Sequence, residues 1–74
     1  MNISVTIEQG STAVNIIADE NRKIKDVCEE LHREGYIPSG AGSFMRLSAE
    51  ERVISSENSF RDEGIYSGDK ISEI

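Results

Sequence analysis

The hydrophobic periodicity of this chain switches from two to 3.6 and back to two, and that switch restricts the folds open to it. Ile3, Val5 and Ile7 alternate with Asn2, Ser4, Thr6 and Glu8, the period of a strand with one buried face. Glu8-Gln9-Gly10-Ser11 interrupts the run with a turn-forming glycine, and Val14, Ile16 and Ala18 resume it on one side of Thr12 to Ala18. The two runs predict an opening hairpin with a loop of about three to five residues around Gly10. Ile24, Val27, Cys28 and Leu31 then fall at i, i+3, i+4 and i+7, a single apolar stripe on a helix. That helix is predicted from Arg22 to Glu34, with Asn21 as N-cap, Gly35 as the left-handed closing residue and Pro38 barring extension.

Beyond the helix, Ser39-Gly40-Ala41-Gly42-Ser43 reads as a loop within the domain, being too short to link two. Phe44 to Leu47 reads as a third strand. Ala49-Glu50-Glu51-Arg52 turns into a short fourth strand carrying Val53 and Ile54. Glu57 to Glu63 reads as one helical or 3₁₀ turn capped by Gly64, with Ile65 folding back as an apolar lock. Gly68-Asp69 turns the chain into a last strand containing Ile71 and Ile74. One apolar stripe lets the long helix cover only one face of a sheet. The expected fold is therefore α+β, a β-grasp with a mixed sheet of about five strands and one helix packed across one face.

The 74 residues suffice for a single domain, 1–74, burying roughly 60% of the surface of the unfolded chain. Such a core is too small to spare a deep catalytic cleft. The net charge is −6, from 14 acidic and 8 basic side chains. That argues against a general nucleic-acid binder, which needs Lys and Arg to neutralise phosphates, and disfavours adsorption to an anionic membrane surface. The single cysteine allows no internal disulfide, as is typical of a reducing compartment. Met1-Asn2-Ile3-Ser4-Val5 lacks the basic and apolar regions of a signal peptide, and no window approaches the ~20 apolar residues of a membrane span. A cytoplasmic location, without membrane insertion, is the resulting expectation.

Few side chains carry chemistry. Cys28 and His32 stand one helical turn apart and could form a thiol–imidazole nucleophile, but Cys28 lies on the apolar stripe, where a free thiol acts as a small core hydrophobe. No second Cys or His completes a zinc site. Gly40-Ala41-Gly42 leads into a strand, whereas a phosphate-cradling loop leads into a helix. Asp19-Glu20, Glu29-Glu30 and Glu50-Glu51 read as solvated carboxylates. No catalytic, cofactor-binding or metal-binding residue is expected. Arg22, Lys23 and Lys25 crowd positive charge at a helix N-terminus, against the macrodipole, and pairing with Asp19, Glu20 and Asp26 would relieve it. Ile17, Phe44 and Arg46 are expected on the open side of the sheet as a protein-interaction patch.

At Phe44-Met45-Arg46-Leu47 and at Phe60-Arg61-Asp62-Glu63-Gly64-Ile65-Tyr66-Ser67-Gly68-Asp69-Lys70-Ile71 the chain resembles the YukD/EsaB family of the ubiquitin superfamily. The first segment is similar to the family's aromatic-aliphatic-Arg-aliphatic third strand. The second resembles its ending, a hydrophobic residue, then x-D-x-G-I, two variable residues and G-D-x-hydrophobic. These are small ubiquitin-like proteins associated with type VII (ESX-like) secretion systems of Gram-positive bacteria. The resemblance implies a non-conjugated accessory or regulatory protein whose partner is a membrane-bound component of the secretion apparatus; edge strands that can pair between chains leave a monomer or weak dimer open. Where ubiquitin has its apolar recognition patch, this chain aligns Gln9, Ser48 and Ile74, so receptors for ubiquitin should not read it; Ile74 joins Ile17, Phe44 and Arg46 as an interaction candidate. It ends Lys70-Ile71-Ser72-Glu73-Ile74, without the diglycine tail that conjugation needs. The competing expectations are a covalent modifier or sulfur-carrier precursor, and the excised ubiquitin-like domain of a larger membrane protein.

Overall fold

A computed structural model describes residues Met1 to Ile74. Strands β1 (Asn2–Gln9) and β2 (Thr12–Asp19) form the hairpin, paired antiparallel without a break from Asn2↔Asp19 to Gln9↔Thr12. The loop is shorter than its composition predicts. Gln9 remains in the strand and only Gly10 and Ser11 turn the chain, Gly10 with φ 56°. A first loop residue at positive φ is the position that a two-residue hairpin reserves for glycine.

Helix α1 runs from Ile24 to Arg33, shorter by two residues at the start and one at the end than its periodicity predicts. Its amino end is not capped by Asn21. The position before the helix is Lys23, with no side-chain cap. The N–H groups of Ile24 and Lys25 donate to the backbone carbonyls of Asn58 (3.0 Å) and Ser56 (2.9 Å). A distant segment thus satisfies donors that a local side chain usually takes, while Asn21 donates its own N–H to Asp19 Oδ1 in a local turn. At the other end Gly35, φ 83°, closes α1 as predicted. Its N–H donates to the His32 carbonyl and that of Tyr36 to the Leu31 carbonyl, the paired bonds of a Schellman motif.

Strands β3 (Phe44–Leu47), β4 (Arg52–Ser55) and β5 (Lys70–Glu73) complete a five-stranded sheet in the order β2-β1-β5-β3-β4. β1 and β5 are parallel and the other pairs antiparallel. Ser48–Glu50 is a single 3₁₀ turn between β3 and β4, and Glu51 leaves it in the left-handed region. Residues 57–63 form turns around an isolated antiparallel bridge from Ser59 to Lys23 rather than a regular helix. They end, even so, as their sequence predicts: Gly64 has φ 70°, Ile65 donates to the Phe60 carbonyl, Gly64 donates to the Arg61 carbonyl, and Ile65 is buried. Ile74 lies outside β5, which ends at Glu73.

The core lies between α1 and one face of the sheet. Ile3, Val5 and Ile7 of β1, Met45 and Leu47 of β3, Ile54 of β4 and Ile71 of β5 meet Ile24, Val27 and Cys28 of the helix, with Phe60 and Ile65 closing the end. Three polar residues share this interior: Gln9, Ser56 and Ser59. Gln9 is only 2% exposed. Its amide Nε2 donates to the Ser39 carbonyl at 2.8 Å, and its Oε1 accepts from the Ser39 N–H at 3.1 Å. Ser56 donates its hydroxyl to the Gly42 carbonyl. The glycine-rich connector is therefore held from inside by polar side chains, since Ser39, Gly40 and Gly42 have none of the apolar bulk that could pack there.

Candidate functional site

The thiol and the imidazole on α1 do not meet as a catalytic pair. Cys28 is fully buried on the stripe, and burial, with a smaller contribution from the Glu29 carboxylate, pushes its thiol up to about 11. A thiol so poorly ionised is a poor nucleophile at neutral pH. His32 is exposed, and its Nδ1 lies 3.2 Å from the Ile37 carbonyl. Cys28 thus occupies the core position its place on the apolar stripe predicts.

The basic side chains at the start of α1 find other partners than those predicted. Arg22 pairs with Glu30 at 2.7 Å and Lys25 with Glu57 at 3.4 Å. Asp19 and Glu20 instead lie 3.7 Å and 3.9 Å from the Met1 ammonium. The Arg22 hydrogen bond lowers the Glu30 pKa, and the Asn21 backbone N–H is the largest cause lowering that of Asp19. All these groups face water, where such pairs add little stability.

The surface left over is the open face of the sheet. Strand alternation turns Ser4, Thr6 and Glu8 of β1, Asn15 and Ile17 of β2, Phe44 and Arg46 of β3, and Lys70 and Ser72 of β5 away from the helix. Register brings some of the predicted residues together. Arg46 stands between Ser72 of β5 and Val53 of β4. Phe44 is opposite Ser55, and the β3–β5 register continued by one step sets Ile74 level with Phe44. Phe44, Val53 and Ile74 are 60%, 54% and 68% exposed around an Arg46 that enters no ion pair.

Ile17, 69% exposed, does not join this patch. It sits on β2, three strands from β3 in the sheet order, which at ~4.8 Å per strand puts it well beyond contact. Val53, expected only as a residue of the fourth strand, belongs with the patch as well. The available signal was the alternation in Arg52-Val53-Ile54-Ser55: a strand with one buried face can bury Val53 or Ile54 but not both, and Ile54 is the buried one. Gln9, aligned by sequence with a surface patch, is interior.

A groove of about 260 Å³ lies on the far side of the molecule, between β2 and α1, floored by Ile16, Val27 and Leu31 and rimmed by Arg22, Glu30, Glu34 and Tyr36.

No model of a known protein family matches the sequence, and no curated protein matches it. Solved structures do. The N-terminal ubiquitin-like domain of the 4931431F19Rik protein superposes with a TM-score of 0.67 at 9% identity, over 96% of this chain and 71% of that one. The EccD5 ubiquitin-like domain from Mycobacterium xenopi superposes with a TM-score of 0.57 at 18% identity, over 97% of this chain and 91% of that one. With the strand order and the single covering helix, these likenesses make the fold a ubiquitin-like β-grasp.

Proposed function

We propose that this protein is a non-conjugated, protein-binding ubiquitin-like module, a cytoplasmic accessory component of a bacterial type VII secretion system that docks on a membrane-bound part of the apparatus. The observation that carries the binding role is the exposed cluster of Phe44, Val53 and Ile74 around the unpaired Arg46. An aromatic and an arginine set among aliphatic side chains are the residue types that anchor protein interfaces. The secretion assignment is supported by the resemblance of the Phe44–Leu47 and Phe60–Ile71 segments to the YukD/EsaB pattern. The fold neighbour from EccD5, matched over nearly the whole of both domains, accords with it.

The test replaces Phe44 with a photo-crosslinking phenylalanine analogue in the native host, under conditions where the secretion machinery is made. The expected product is a covalent adduct with a membrane-embedded secretion component, lost when Val53→Asp is added. Adducts that contain no component of the apparatus would overturn the assignment.

A further inference from the structure

Strand register sets out the open face as rows of side chains. Ala13 of β2, Glu8 of β1, Ser72 of β5, Arg46 of β3 and Val53 of β4 stand in one row. The next row, toward the end of β5, holds Ile74, Phe44 and Ser55. Lys70, two residues before Ser72 and level with Thr6, is on the same face. Two cations and one carboxylate therefore share this part of the sheet: Lys70, Arg46 and Glu8.

Glu8 is within reach of both cations and takes only one. Lys70, diagonal to it on the adjacent strand, brings its Nζ to 3.8 Å from Glu8 Oε2. Arg46 is two strands away from Glu8, about 10 Å between backbones. Only the small Ser72 side chain stands between them, so a guanidinium and a carboxylate extended toward each other would meet over it. Yet Arg46 enters no ion pair. Both members of the Lys70–Glu8 pair are exposed, and such a pair adds little to stability. Its consequence is electrostatic instead: the carboxylate that would otherwise neutralise Arg46 is already occupied. A guanidinium is less strongly hydrated than an ammonium and grips a carboxylate through two N–H bonds, so Glu8 released from Lys70 would turn to Arg46.

We propose that Lys70 is a positioning residue for the open-face patch: by holding Glu8 it leaves Arg46 free to take an aspartate or glutamate carboxylate of the partner protein. Phe44, Val53 and Ile74 then receive the apolar side chains that flank that carboxylate. Charge complementarity selects this partner. Arg46 is the only cation among the exposed apolar side chains of the patch, and its bond to a carboxylate strengthens where such side chains exclude water. A chain with net charge −6 attracts basic segments at long range, but a lysine or arginine docked here would meet Arg46 as a like charge. The patch therefore discriminates against the ligands that the whole-chain charge favours. This inference rests on the open face being the binding surface and is independent of the secretion assignment.

The first measurement needs no partner. In the intact protein, Lys70→Ala should shift the NMR signal of the Arg46 Nε–H and slow its exchange with water, and adding Glu8→Ala should return it to the wild-type position. The second uses the photo-crosslinking analogue at Phe44 in the native host. There Lys70→Ala should lower the adduct yield roughly threefold and Arg46→Glu about tenfold, whereas Lys70→Ala combined with Glu8→Ala should restore it. The partner segment joined to Phe44 should carry an aspartate or glutamate beside the crosslinked residue. A double variant that stays weak would mean that Lys70 itself touches the partner, and overturns the proposal. An Arg46 signal indifferent to Lys70→Ala overturns it too, as does a crosslinked segment whose only charges are lysine and arginine. Those three results leave the open face as the binding surface; the absence of any adduct removes the surface and the proposal together.

Discussion

Replacing Cys28 with alanine should reverse its effect on stability as the pH is raised. At neutral pH the thiol is un-ionised in both the folded and the unfolded chain, and the substitution removes a sulfur atom from a site with no access to water. Deleting one buried heavy atom from a packed core costs on the order of 1–2 kcal/mol. Above pH 9 a second effect enters. The thiol of the unfolded chain ionises around 9.0, whereas in the folded protein burial raises it to about 11. A group whose folded value is raised contributes stability that is complete below the unfolded value and is lost as the pH climbs through the folded one. For Cys28 that window runs from 9.0 to about 11, and the loss across it is on the order of 2–3 kcal/mol. Alanine has nothing to ionise. Contributions common to both proteins cancel in the difference.

The wild type should therefore be the more stable protein at neutral pH, equal to Cys28→Ala near pH 10, and the less stable by about 1 kcal/mol at pH 11. Urea unfolding followed by far-ultraviolet circular dichroism, under reducing conditions at a series of pH values, measures the crossing. Thiolate absorbance of the folded protein should stay low until well above pH 9. A stability difference constant from neutral pH to about 11, or a native thiolate signal rising with an ordinary thiol midpoint, would refute the reading of Cys28 as an inert core residue.

Two further substitutions probe the polar side chains that hold the fold. Gln9→Ala leaves the Ser39 N–H and the Ser39 carbonyl without their interior partner and should cost about 2–3 kcal/mol, with faster amide exchange at Ser39. Gln9→Glu, which cannot donate to the carbonyl when ionised, should be more destabilising at neutral than at mildly acidic pH. Glu63→Ala removes the acceptor of the Ser55 N–H and the Asn58 side-chain amide. It should cost about 1–3 kcal/mol in chemical denaturation and, by baring the β4 edge, increase self-association in light scattering.

The strands and the helix were legible where one periodicity acts alone. The alternation in β1 and β2 and the stripe on α1 each depend on burial of one face, and burial is written locally in side-chain type. Gly35 and Gly64 were legible for a similar reason, because a left-handed helix end requires a residue without a Cβ whatever lies around it. What was lost depended on contacts across the chain. Asn21 is a good N-cap by composition, yet Ser56 and Asn58 arrive from more than thirty residues away to do that work. Gln9 beside glycine reads as loop, and only the position of Ser39 explains why an amide should end a buried strand face. Ile17 and Phe44 are both open-face residues, but the order β2-β1-β5-β3-β4 separates them, and strand order is not contained in the pattern of either strand.

The interior polar groups also limit where function can reside. No buried side-chain nitrogen or oxygen lacks a hydrogen-bond partner. Gln9 and Ser56 fasten the connector, Glu63 fastens the β4 edge, and the Cys28 thiol is held neutral among aliphatic neighbours. Each is engaged in keeping a small core closed, and none lines the groove between β2 and α1. What stays unengaged is of another kind: a row of backbone donors and acceptors on β2, and apolar side chains around an unpaired arginine on β3. Backbone edges and apolar–cationic clusters recognise shape and extended chain rather than transform bonds. The two surfaces lie at opposite margins of one sheet with the strands of the core between them, so a substitution at one leaves the other in place.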